Sequence, residues 1–154
     1  MTISSLEAIP RFNLLAERLA TAGQPSEEQL AAVAAAGFRL VINLGPHDDP
    51  SYALADEAAS VRTLGMDYVH IPVQFSSPNL GQLAQFSVAM AAAEGEKVFV
   101  HCRHNKRVPV FIALDRILRC GWNREAALGE MHKAWSPDAN WKAFIDQALA
   151  RHAG

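Results

Sequence analysis

The chain has 154 residues, half of them hydrophobic and 19% charged, with a formal net charge of −2. This is enough to bury a core without staples and suits one domain, 1–154, with its core at about 10–148. The charge balance excludes a nucleic-acid binder, no run nears the roughly 20 apolar residues of a membrane span, and two cysteines without a leader segment suit the cytoplasm.

In chain order, residues 12–20 read as a further strand. Ser26-Glu27-Glu28-Gln29 after Pro25 reads as a capping box that opens a helix closed by Gly37. Residues 38–44 predict a buried strand, 45–50 a turn, and 52–64 a helix ended by Gly65. Residues 68–71 predict the next strand and 72–78 a loop, after which Asn79 caps a helix reaching Glu94. Residues 97–100 predict a third buried strand and 108–120 a helix, followed by two helices opened by Asn123 and by Ser136-Pro137. Strands alternating with helices predict an α/β fold, a single domain with a mostly parallel sheet flanked by helices. In such sheets ligands bind beyond the carboxyl ends of the strands. Cys102, the turn at residues 47–49 and the loop at 74–79 are expected on that rim.

Residues 96–107, Glu-Lys-Val-Phe-Val-His-Cys-Arg-His-Asn-Lys-Arg, carry the chemistry. A cysteine at the end of a strand and facing the first amides of a helix sits where a thiolate is stabilised and an oxyanion can bind. Arg103, Lys106 and Arg107 crowd one turn with His104, and no carboxylate lies between Glu96 and Asp115. Such a cationic loop repels itself unless it holds an anion. Cys120 is expected one helix beyond Cys102, roughly 18 Å at the helical rise, which argues against a bridge. It is read as core, as are Trp122, Trp135 and Trp141, and His70 is read as packed within its strand.

The segments Thr21-Ala22-Gly23-Gln24-Pro25-Ser26, Ala36-Gly37-Phe38 leading into Val41-Ile42-Asn43-Leu44, residues 64–73 and His101-Cys102…Asn105-Lys106-Arg107 form an ordered set. Over residues 10–148 the chain resembles the bacterial phosphatase-like domain of beta-lactamase hydrolase-like proteins. That family sits with the protein tyrosine and dual-specificity phosphatases. The resemblance implies a cysteine-phosphatase-like fold, Cys102 as nucleophile through a phosphocysteine, and a phosphate held by the Arg107 guanidinium and the amides of Arg103, His104, Asn105, Lys106 and Arg107. His101 would orient the loop and favour the thiolate. Arginine suits this task because its planar fork matches phosphoryl oxygens and its charge persists at any working pH. No cofactor and no metal are expected, since no His, Cys and carboxylate cluster has ligand spacing. The expected partner is a phosphorylated protein or a small phosphate ester.

The chain departs from the tyrosine-phosphatase pattern in four ways. Its spacing is Cys-x4-Arg in place of Cys-x5-Arg, a length that also resembles the persulfide loop of rhodanese sulfurtransferases. Asn105 stands where glycine is common, and Val108-Pro109 where a hydroxyl residue often follows the arginine. Residues 68–93 hold no carboxylate to protonate a leaving group. Asp48 and Asp49, after the first buried strand and on the active rim, are the candidate acids. His104 is another candidate, Asp67 belongs to the opposite rim, and Asp138 suits the first turn of the last helix. Phe75 or Tyr52 could wall a substrate cleft. The alternatives to a phosphatase are a phosphate- or phosphoprotein-binding module with impaired catalysis, and a rhodanese-like sulfurtransferase.

Overall fold

Leu40-Val41-Ile42 and Val98-Phe99-Val100 are apolar at every position, as strands covered on both faces must be, and all six are buried. The structure is a computed structural model that describes residues 6–46 and 53–153. Its strands are β1 (Asn13–Ala16), β2 (Leu19–Ala22), β3 (Leu40–Asn43), β4 (Asp67–His70) and β5 (Val98–His101). Its helices are α1 (Glu27–Ala35), α2 (Glu57–Thr63), α3 (Leu80–Ala92), α4 (Arg107–Leu118), α5 (Arg124–Ala134) and α6 (Ala139–Ala153). The sheet order is β1-β2-β5-β3-β4. The β1–β2 pair is antiparallel and the other pairs are parallel, so four strands deliver their carboxyl ends to one rim.

Alternation along the strands divides the core into two layers. Leu40, Ile42, Val98 and Val100 face α4 and the residues of α3, α5 and α6 that pack around it. Val41, Phe99, Ala20 and Ala22 face α1, α2 and the segment holding Leu6 and Ile9. α4 is buried from Val110 to Ile117 without a break, which makes it the central helix. Phe111 anchors it, with ring centroids 5.7 Å from Phe86, 5.7 Å from Phe144 and 6.3 Å from Trp141. No helix among the described residues is long and apolar enough to cross a membrane.

Several expectations are corrected. The strand read at residues 12–20 is a hairpin, and its second arm β2 is an interior strand beside β5. The Ala-Thr-Ala of β2 carries little strand signal, yet Ala20 and Ala22 are fully buried, so packing overrides propensity there. The helix read from position 52 starts at Glu57, because the Asp56 carboxylate accepts from the Ala59 amide and caps it. Cys120 is exposed rather than core. It lies past the end of α4, in the turn where Gly121 takes a φ of 76°. Trp122 is 38% exposed and lies under the Arg116 guanidinium at 4.1 Å, so of the three tryptophans only Trp141 is fully buried. Trp135 is half-buried at the rim. Asp138, not Ser136, caps the last helix by accepting from the Trp141 amide at 2.9 Å.

Candidate active site

The rim is built from the ends of β2, β5, β3 and β4. Between β5 and α4 the chain turns through residues 102–106 in a tight loop, closed because Asn105 adopts a φ of 55°. Asparagine tolerates this left-handed region better than most residues. Its side-chain amide ties the turn to older parts of the chain, donating to the Arg11 carbonyl (2.9 Å) and to Thr21 Oγ1 (3.1 Å). Lys106 precedes α4 without a side-chain cap, which leaves the first amides of the helix free of one. Pro109 falls in that first turn, where a missing N–H costs little.

Two carbonyls of the loop are held from behind. The Gln24 amide donates to the Arg103 carbonyl (3.1 Å), and His101 Nδ1 stands 3.4 Å from the Cys102 carbonyl. The Cys102 amide donates to the Ala22 carbonyl (3.3 Å). Gly23 is required beside the loop, since a Cβ there would come within 2.6 Å of the Arg103 carbonyl oxygen. Cys102 has no exposed surface, so its thiol lies at the base of the loop.

Arg107 opens α4, and its Nε donates to the Val73 carbonyl (2.8 Å). Its guanidinium carbon lies 5.3 Å from the Phe75 ring centre. Phe75 in turn packs on Trp135 and Trp141, and its carbonyl accepts from the Trp141 indole at 2.8 Å. Lys106 reaches over Trp135. A cavity of about 240 Å³ is lined by Phe75, Arg103, His104, Lys106 and Arg107. Burial, and then Arg103, Arg11, Lys106 and Arg107, push the His104 imidazole below its usual range. The field in this cavity therefore favours anions.

The structure thus brings together His101, Cys102, Arg103, His104, Asn105, Lys106 and Arg107, with Phe75 as an aromatic wall. Asp48 and Asp49, with His47 and Tyr52, lie outside the described residues. His70, at the end of β4, is half-buried and bonds the Gly45 carbonyl through Nε2 at 2.7 Å, propping the chain that leaves β3. Asp67 is exposed at the opposite end of that strand.

One residue was missed. Glu57, the first of α2, is fully buried, and its Oε2 lies 2.6 Å from His101 Nε2. Its other oxygen accepts from Gln24 Nε2 at 2.9 Å. Burial, followed by the Glu57 charge, drives the Tyr68 phenol far above its usual range. A glutamate at a helix start reads as an ordinary dipole partner, and nothing local in the sequence marks it as buried.

The family model described as "Beta-lactamase hydrolase-like protein, phosphatase-like domain" matches residues 11–118. The beta-lactamase hydrolase-like protein of Xylella fastidiosa (strain Temecula1 / ATCC 700964) is 34% identical over 120 residues, covering 75% of this chain and 28% of that relative. The chain therefore spans under a third of the length of the curated relatives it matches. Among solved structures, a candidate phosphatase (DUF442) of Shewanella putrefaciens CN-32 is 31% identical, with a TM-score of 0.85 over 98% of this chain and 99% of that one. TpbA of P. aeruginosa, in its complex with pTyr, shares the fold at 19% identity, with a TM-score of 0.70 over 94% of this chain and 91% of that one. With the Cys102–Arg107 loop at the carboxyl rim of a sheet of this topology, the chain belongs to the family of beta-lactamase hydrolase-like phosphatase-like domains.

Proposed function

We propose that this chain is a cysteine-dependent phosphatase that hydrolyses phosphate monoesters through a phosphocysteine on Cys102. The observation that carries the reading is the loop itself. Its cysteine follows β5 directly, two of its carbonyls face tethers behind them, and Arg107 stands at its lip beside an aromatic wall. In the first step Cys102 Sγ attacks phosphorus, the S–P bond forms and the P–O ester bond breaks. In the second, water attacks phosphorus, the S–P bond breaks and the thiolate returns with inorganic phosphate released. The loop amides and Arg107 meet the equatorial oxygens, where charge is stabilised in the transition state.

Asp48 or Asp49 protonates the leaving oxygen in this reading. Aryl esters such as phosphotyrosine suit the site best, because Phe75 can flank a ring and an aryl oxygen leaves with less help from an acid. The partner is then a phosphorylated protein or a small phosphate ester.

One observation favours a second reading, a phosphate-binding module. Cys102 is wholly covered, so attack requires the loop to shift around the incoming group. The discriminating experiment is hydrolysis of p-nitrophenyl phosphate between pH 5 and 8 by wild type and Cys102→Ser. Activity lost in the serine variant supports the phosphatase. No wild-type activity, with inorganic phosphate still raising the melting temperature, supports the binding module.

A further inference from the structure

A carboxylate with no exposed surface, bonded to the histidine that precedes the candidate nucleophile, calls for a chemical reason. Glu57 opens α2, has no exposed surface and does not line the anion cavity. What it does reach is a set of donors. A carboxylate has no hydrogen to give, so the nitrogen 2.6 Å from it, His101 Nε2, carries one. Gln24 Nε2 donates to its other oxygen at 2.9 Å and to the Pro25 carbonyl at 3.0 Å, which fixes the orientation of that amide.

Both arms of this cluster end on the loop. A carboxylate and a carbonyl both only accept, so for His101 to hold the Cys102 carbonyl (3.4 Å) as well as Glu57 its ring must carry a hydrogen on each nitrogen. Gln24, through its backbone amide, holds the Arg103 carbonyl. In a trans peptide the C=O and the following N–H point in opposite directions. Drawing the Cys102 and Arg103 carbonyls backward therefore turns the Arg103 and His104 amides toward the anion seat.

We propose that Glu57 is a positioning residue, whose carboxylate gathers the His101 and Gln24 donors and thereby aims the loop amides at the bound phosphoryl group. This deepens the phosphatase reading and rests on residues 102–107 being its phosphate loop. The carboxylate is specifically required. Glutamine has one accepting oxygen, so in Glu57→Gln the side-chain NH₂ faces either the His101 or the Gln24 donor, and one tether is lost.

The test compares wild type, Glu57→Gln and Val61→Ala, which removes buried contact from the same helix without touching a tether. Expected for Glu57→Gln is a loss of roughly ten-fold or more in kcat for p-nitrophenyl phosphate, with a similar weakening of inorganic phosphate binding. Val61→Ala is expected to lower the melting temperature while keeping both within about two-fold, which a merely structural role for Glu57 would not distinguish. Nitrogen-15 NMR of wild type is expected to find a hydrogen on each ring nitrogen of His101. Glu57→Gln retaining kcat and phosphate affinity within about two-fold overturns the proposal. So does a wild-type His101 with a hydrogen on only one ring nitrogen, a result available even if the variant does not fold. Wild type that neither binds phosphate nor hydrolyses the ester sinks the phosphatase reading instead, and the ring measurement still decides the hold of Glu57 on His101.

Discussion

Adding a single methyl group at Gly23 measures how rigidly the Cys102–Arg107 loop is held. The new Cβ would stand 2.6 Å from the Arg103 carbonyl oxygen and 3.2 Å from that of Pro10, where ordinary contact begins at 3.4 Å. Both obstacles are backbone, so no side chain can swing aside. Relieving the tighter contact moves the Arg103 carbonyl by about 0.8 Å, the difference of those distances, and breaks or bends its bond from the Gln24 amide. Overpacking of this kind costs about 1–3 kcal/mol, offset by about 0.4–1 kcal/mol from the stiffer unfolded chain. The effect on rate is larger, because a displacement near 1 Å in a positioning element can cost about 100-fold. Gly23→Ala is therefore expected to unfold at only slightly lower urea concentration while kcat/KM for p-nitrophenyl phosphate falls by roughly 10- to 100-fold. A variant with unchanged kcat/KM and unchanged phosphate affinity would refute the claim that the Arg103 carbonyl must stay where Gly23 admits it.

Asn105→Ala is expected to lose both tethers to Arg11 and Thr21 and to strain a left-handed residue. Asn105→Gly loses only the tethers, so urea denaturation should find glycine the more stable by about 1 kcal/mol. For His104, burial and the surrounding cations lower the folded-state proton affinity below that of the unfolded chain. Its contribution to stability is complete above the ordinary histidine range and is lost as pH falls through it, so His104→Gln should flatten the acid side of the stability profile. Phe111→Ala, which empties the centre of the aromatic cluster around α4, should cost about 3–5 kcal/mol in denaturant unfolding.

Features that depend on neighbours in sequence were legible. Ser26, Asn79 and Asn123 cap their helices as their spacing predicts, and the strand, cysteine and basic turn at residues 98–107 lie in one stretch. What escaped depends on distant partners. β2 is a strand because β1 and β5 flank it and Leu6 and Ile9 cover its alanines, not because Leu-Ala-Thr-Ala favours one. Glu57 is buried because the end of β5 lies 44 positions further along the chain, and no pattern around residue 57 reports that. Trp135 was grouped with the core on its chemistry, but its place beside Phe75 and Lys106 is set by where α5 stops, a boundary decided by packing.

The sheet order carries a consequence for biosynthesis. β5 lies between β2 and β3 in space, yet it is the last of the five strands to be made. Until residue 101 is available, β2 and β3 each expose an apolar edge on the side where β5 will insert. Unpaired edges of this kind pair with other chains, and non-local parallel pairing forms slowly. A nascent or truncated chain ending before Val98 is thus expected to aggregate, whereas one carried through α4 can close. The strand that delivers Cys102 to the rim is also the one that seals the sheet, so the loop takes shape only once the sheet has closed.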